Sequence, residues 1–202
     1  MAAPNFDDDS AEPLTLDEAL LTTQVERWTA ELAMKLLPET NGPKVEIFAG
    51  RVVVSPHAGI DHQIVAAQLL LGLRPAARAA GFRAYPEINI VHDDELYIPD
   101  VSVLRRSGAG QASMDIADAV MLVEIVSNSN RRKDIIDRPR VYAEAKVPWF
   151  MRIEFRQRIP TIALHELIDG GYEQVVACAA GTTFAMTEPF PFAIDPAELL
   201  DD

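Results

Sequence analysis

Cysteine is almost absent from this chain: Cys178 is the only one in 202 residues. A lone thiol excludes an internal disulfide and a cysteine-built zinc site. Long apolar runs are missing as well, and nothing approaches the roughly 20 residues of a membrane helix, so no membrane segment is expected. Positive charge is scarce: 18 Lys and Arg face 31 Asp and Glu, for a formal net charge of -13. That balance argues against broad nucleic-acid binding driven by phosphate neutralisation, although a local basic patch would not be cancelled by the sum. The acidic start, Met1 to Asp9, lacks a basic stretch followed by an apolar one. No secretory leader is therefore expected, and a cytoplasmic protein is the simplest reading.

Residues Met1 to Pro13 read as an acidic disordered tail, and 14–202 as one domain whose opening segment, 14–38, is helical. Thr15 and Glu18 have capping-box spacing, and apolar residues recur at helical intervals from Leu20 to Leu37. Lys44 to Phe48 and Arg51 to Val54, joined by Ala49-Gly50, read as a β-hairpin. A long helix follows from about His62 to Ala80, with Ile64, Ala67, Leu70, Leu71 and Leu73 as expected buried positions. Pro75 should kink or divide it, and Gly81 should close it. Its Leu69-Leu70-Leu71 face reads as core, with a dimer interface as the alternative. Later strands alternate with a Gly/Ser/Ala loop from Arg105 to Met114 and a helix over about Arg131 to Ala145 that Pro139 interrupts or delays. The element order implies an α/β or α+β fold around a mixed sheet.

Two runs stand at the centre of that order. Ile98-Pro99-Asp100-Val101-Ser102-Val103 and Val120-Met121-Leu122-Val123-Glu124-Ile125-Val126 are short, β-branched and mostly apolar. Strands buried on both faces have this pattern, and so does a turn of buried helix. Each run carries one carboxylate, Asp100 and Glu124. A buried carboxylate needs a cation or a donor, and two from adjacent strands suit Mg2+, which prefers oxygen and keeps several waters. The plain alternative is a pair of strand-end carboxylates in surface ion pairs. Arg131, Arg132 and Lys133, with Arg138 and Arg140 beyond, form the local basic patch; it reads equally as a solvated helix face.

The ordered set Glu46, Gly50, Ser55-Pro56, His62, Pro99-Asp100, Val103, Glu124, Ser127, Ser129, Asp134, Tyr142 and Val147-Pro148 resembles the Uma-two family of restriction endonucleases, within the PD-(D/E)XK nuclease superfamily. The resemblance implies a restriction endonuclease-like core with helices flanking a central mixed β-sheet. It also implies a metal-dependent endonuclease cutting DNA, with Mg2+ as cofactor and Mn2+ as a substitute, and a homodimer. Asp100 and Glu124 would hold the metal together with the backbone carbonyl of Ile125.

Glu46 would add a ligand or orient one, and Arg131, Arg132 and Lys133 would meet substrate phosphate. Arg138 stands where the family carries a lysine, followed by Pro139; Val126 occupies the alternative lysine position. Arginine contacts phosphate but does not shed a proton as a tuned lysine does, so Arg138, or else Lys133 or Lys146, would offset phosphate charge. His62 reads as a helix-cap partner, a core-edge histidine or an acid/base. Asp134 reads as an anchor for the helix start, and Tyr142 as core packing or a substrate contact. Two other functions stay open: a degenerate member that binds nucleic acid or a protein partner without cleavage, and a regulatory dimer.

Overall fold

The computed structural model describes residues 15–16, 25–37, 43–126 and 136–200. In chain order these are helix α1 (Ala30–Leu36), strands β1 (Lys44–Phe48) and β2 (Arg51–Ser55), helix α2 (Ile60–Ala79), and strands β3 (Arg83–Pro86), β4 (Ile90–His92), β5 (Glu95–Tyr97) and β6 (Val101–Leu104). Then come β7 (Met114–Asp115), β8 (Ala119–Val126), helix α3 (Arg138–Glu144), β9 (Trp149–Arg156), β10 (Ile159–Ile168), β11 (Gly171–Ala179), β12 (Phe184–Met186) and β13 (Phe192–Ile194). A 3-10 turn, Pro196–Leu200, ends the described chain. The expected tail over 1–13 and Glu18 of the expected capping box lie outside the described residues.

The strands form a six-stranded sheet in the order β11-β10-β9-β8-β6-β3, a five-stranded sheet in the order β2-β1-β5-β4-β7, and the short pair β12-β13. Pairing is mixed: β8 runs parallel to β9 and β4 parallel to β7, while the neighbours of β6 are antiparallel. β8 is buried at every position, so its near-continuous apolar run is a central strand covered on both faces rather than a helix turn. Successive side chains point to opposite faces of a strand. Val101, Val103, Met121, Val123 and Ile125 accordingly face one core with Val65, Leu69 and Leu73 of α2 and the phenylalanines Phe184, Phe190 and Phe192. Leu104 and Leu122 face a second core with Tyr97, Val141, Tyr142 and Phe150.

Glycine decides one turn here. Ala49 and Gly50 have φ of 51° and 72°, the left-handed pair that a two-residue hairpin turn demands. A Cβ on Gly50 would also lie 2.7 Å from Arg27 Cγ. The neighbouring α1 is capped by the Thr29 side chain, which accepts from Leu32 N at 3.2 Å. Its approach is fixed by Trp28 N donating to Gly50 O at 2.9 Å and Ala30 N to Asp94 O at 2.7 Å. Trp28, Ala30 and Ala33 then pack on Ile47 and Leu96.

Helix α2 departs from expectation in two ways. Its buried stripe is His62, Val65, Leu69, Leu73 and Ala77, and Leu71 is 71% exposed. Asp61, Gln63, Gln68, Arg74 and Arg78 all lie on the side opposite that stripe, so the polar residues mark the solvent face, with Leu71 among them. Pro75 neither divides nor ends it. Pro75 and the carbonyl-bearing Leu71 four residues earlier both lie on the exposed side, where water replaces the lost hydrogen bond. Gly81, with φ of 89°, closes the helix as expected. No described helix is long and apolar enough to cross a membrane. Urea unfolding should separate the two leucines: Leu69→Ala should cost about 2–5 kcal/mol and Leu71→Ala within about 0.5 kcal/mol of nothing.

Candidate active site

Alternation along β1 puts Lys44 and Glu46 on one face, across from the start of β6. Asp100 lies one residue before β6, because Pro99 has no N–H to give a ladder. The antiparallel register Val101↔Val123, continued by one residue, sets Asp100 opposite Glu124, and opposite residues share a face. Ile125 N donates to Asp100 Oδ2 at 2.7 Å. The other oxygen, Oδ1, accepts from Lys44 Nζ at 2.6 Å and lies 3.3 Å from His62 Nε2, which is too poorly aligned for a good hydrogen bond. Lys44 Nζ also reaches Glu87 Oε1 at 3.0 Å.

The second half of the site is built by α3. Pro139 fits the first turn of α3, where its missing N–H costs nothing; residues 131–135 of the expected helix lie outside the described residues. Arg138 and Tyr142, four residues apart, share a helix face. Arg138 Nη2 donates to Glu46 Oε1, its guanidinium stacks 4.7 Å from the centre of the Tyr97 ring, and Ile98 N donates to Glu46 Oε1 at 2.8 Å. Tyr142 OH donates to Glu124 Oε1. Asp100, Glu124, Glu46, His62 and Arg138 are all buried, whereas the Lys44 side chain keeps 22% and Glu87 44% exposure. Surface ion pairs are therefore not the setting of Asp100 and Glu124.

Burial by itself would raise the Asp100 pKa, but the His62 contact and the Lys44 ammonium outweigh it and hold the carboxyl down at about 2. Burial likewise works against charge on Lys44 and Arg138. Asp100 and Glu87 overcome it at Lys44, while Glu46 and Glu124 do so at Arg138, and both cations end above their ordinary values. Burial, reinforced by Glu124, pushes the Tyr142 hydroxyl well up, so it stays a proton donor.

Could this donor set hold a divalent cation? Among the described residues no three His, Cys, Asp or Glu side chains converge as a complete metal cage. One or two carboxylates completed by water is nonetheless the way Mg2+ is usually bound, and the all-oxygen, cysteine-free chemistry of Asp100, Glu124 and the Ile125 carbonyl fits that ion. Sequence reasoning singled out Asp100, Glu124, Glu46, His62, Arg138 and Tyr142, and the fold brings these together. Arg131, Arg132, Lys133 and Asp134 lie outside the described residues. Lys146 sits beyond α3 with φ of 59°. Lys44 and Glu87 were missed, although the two-residue step from Lys44 to Glu46 already placed both on one strand face.

Two stability measurements follow. Asp100 is stabilised as an anion, so its contribution is full above about pH 4 and lost as pH falls through about 2. The urea midpoint should drop across that window by the equivalent of about 2 kcal/mol, and Asp100→Asn should flatten that part of the profile. Arg138→Met should cost about 3–5 kcal/mol by removing the cation beside buried Glu46, and adding Glu46→Gln should recover part of the loss.

Comparison with known proteins agrees with this architecture. A solved structure described as a "putative nuclease belonging to DUF820" from Anabaena variabilis superposes with a TM-score of 0.56 at 18% identity, covering 84% of this chain and 86% of its own. Identity that low speaks for the fold alone. No curated protein matches the sequence significantly. The family profile described as "Putative restriction endonuclease" matches residues 26–198, and with Asp100, Glu124 and the helix bearing Arg138 gathered at one point of a mixed sheet, the chain belongs to the Uma2 family.

Proposed function

We propose that the protein is a divalent-metal-dependent endonuclease that hydrolyses DNA phosphodiester bonds. The observation that carries this reading is the pairing of Asp100 and Glu124 from neighbouring strands in one buried, donor-lined site. Asp100 and Glu124 hold Mg2+ or Mn2+, with the Ile125 carbonyl as a further ligand. Such an ion supplies an activated water and offsets charge developing on the scissile phosphate.

The remaining residues set the two carboxylates. The Ile125 amide fixes the rotation of Asp100, and the Tyr142 hydroxyl fixes that of Glu124. His62 lies against Asp100 as an orienting neighbour. Glu46, clamped by Arg138 and the Ile98 amide, is a supporting carboxylate behind the site. The resemblance assigns Arg131, Arg132 and Lys133 to substrate phosphate and Asp134 to a supporting place. Homodimer formation and a cytoplasmic location complete the proposal; both rest on the resemblance and the composition.

One observation favours a second reading, a degenerate protein that binds nucleic acid or a protein partner without cutting. The arginine in the family's lysine position is committed to Glu46 and stacked on Tyr97. Incubation with supercoiled plasmid decides between them. Cutting with Mg2+ or Mn2+, absent with chelator and lowered ~10²-fold or more by Asp100→Asn and by Glu124→Gln, supports the endonuclease. Retarded DNA that stays intact in every metal supports the degenerate reading.

A further inference from the structure

Resting on the metal-dependent reading, we propose that Lys44 is the mobile cation of this site: it neutralises Asp100 while no divalent ion is held there, and it turns to the substrate phosphate when one is. Asp100 has two oxygens, and they are not equivalent. Oδ2 is tied to the Ile125 main chain at 2.7 Å, just beyond the last β6–β8 pair, Val101↔Val123. Oδ1 is the oxygen a metal would take, and it is the atom Lys44 Nζ holds at 2.6 Å. An ammonium and a divalent cation on one oxygen in a buried site repel each other with little screening, so each weakens the other's hold. Lys44 therefore competes with the metal.

The structure gives Lys44 the means to move and Arg138 none. Arg138 is sealed in, its side chain 5% exposed and its partner Glu46 2% exposed. Lys44 lies at the rim, on a flexible four-carbon stem with three donors, and Nζ already contacts a second carboxylate, Glu87, at 3.0 Å. Glu87 is held there by unusual means. It adopts a left-handed backbone with φ of 45°, and its N–H donates to the Asp100 carbonyl at 3.2 Å. A bulky residue in that conformation is costly and persists where surrounding structure imposes it, commonly at functional sites. Glu87 thus offers Lys44 a seat beside Asp100 from which the ammonium reaches outward. The phosphate-facing charge that the family position assigns to residue 138 falls to Lys44 in this chain.

A merely structural ion pair would give the opposite sign from a competitor, which makes the test direct. Mn2+ is titrated calorimetrically into the full chain without DNA, for wild type, Lys44→Met and Glu87→Gln, and plasmid cleavage is then measured at saturating Mn2+. Lys44→Met should bind Mn2+ about tenfold tighter yet cut on the order of 10²-fold more slowly. Glu87→Gln should bind a few-fold more weakly, because Lys44 then has only Asp100, and that effect should vanish in the Lys44→Met background. Equal or weaker Mn2+ binding by a folded Lys44→Met protein overturns the proposal. Should Lys44→Met fail to fold, unchanged binding by Glu87→Gln overturns it instead. A wild type that takes up no Mn2+ removes the endonuclease reading and this inference together.

Discussion

An ionised carboxylate inside a protein must be surrounded by donors or cations, since the uncompensated charge costs several kcal/mol even after relaxation. Three carboxyl groups, Asp100, Glu46 and Glu124, are buried around β1, β6 and β8. Much of the local architecture answers that requirement. Asp100 recruits a strand amide and Lys44, Glu46 recruits Arg138 and the Ile98 amide, and Glu124 recruits Tyr142. The compensating groups come from β1, β8, α2 and α3 and from the segment between β5 and β6, so satisfying the acids also pins these elements together. Such a cluster is a poor way to gain stability, because apolar residues of the same volume would do as well. Its presence is better explained by chemistry than by folding.

Within the cluster the two cations differ in kind. Arg138 is buried, stacked on Tyr97 and bonded through Nη2 to Glu46, which holds Glu46 in place. Lys44 is partly exposed and shared between Asp100 and Glu87. The first acts as a fixed counter-ion; the second can exchange. On the proposal above, the mobile charge of the site sits on Lys44 and the fixed one on Arg138.

Much of this was legible in the sequence because it rests on local rules. Ala49-Gly50 between two β-branched runs, the apolar run around Glu124, and Gly81 after the long helix each dictate their own structure with little outside help. The ordered spacing from Glu46 to Tyr142 was enough to name the acids and Arg138 as neighbours. What escaped notice depends on the third dimension. On α2 the exposed face mixes Leu71 and Ile60 with Arg74 and Gln63, so counting apolar residues alone does not separate Leu71 from the buried Val65 and Ala77. Lys44 and Glu87 meet Asp100 across 56 and 13 positions of sequence, and no spacing rule links them. The Trp28 approach to the hairpin was invisible for the same reason: it depends on a bare glycine where Arg27 passes.

The most direct test of the central claim is a crystal structure of the protein soaked in Mn2+, read through its anomalous scattering. The account predicts a single peak within coordination distance of Asp100 Oδ1 and Glu124, with Lys44 Nζ displaced from its 2.6 Å contact. Mn2+ density elsewhere, or density at the acids with Lys44 still seated on Oδ1, would contradict it.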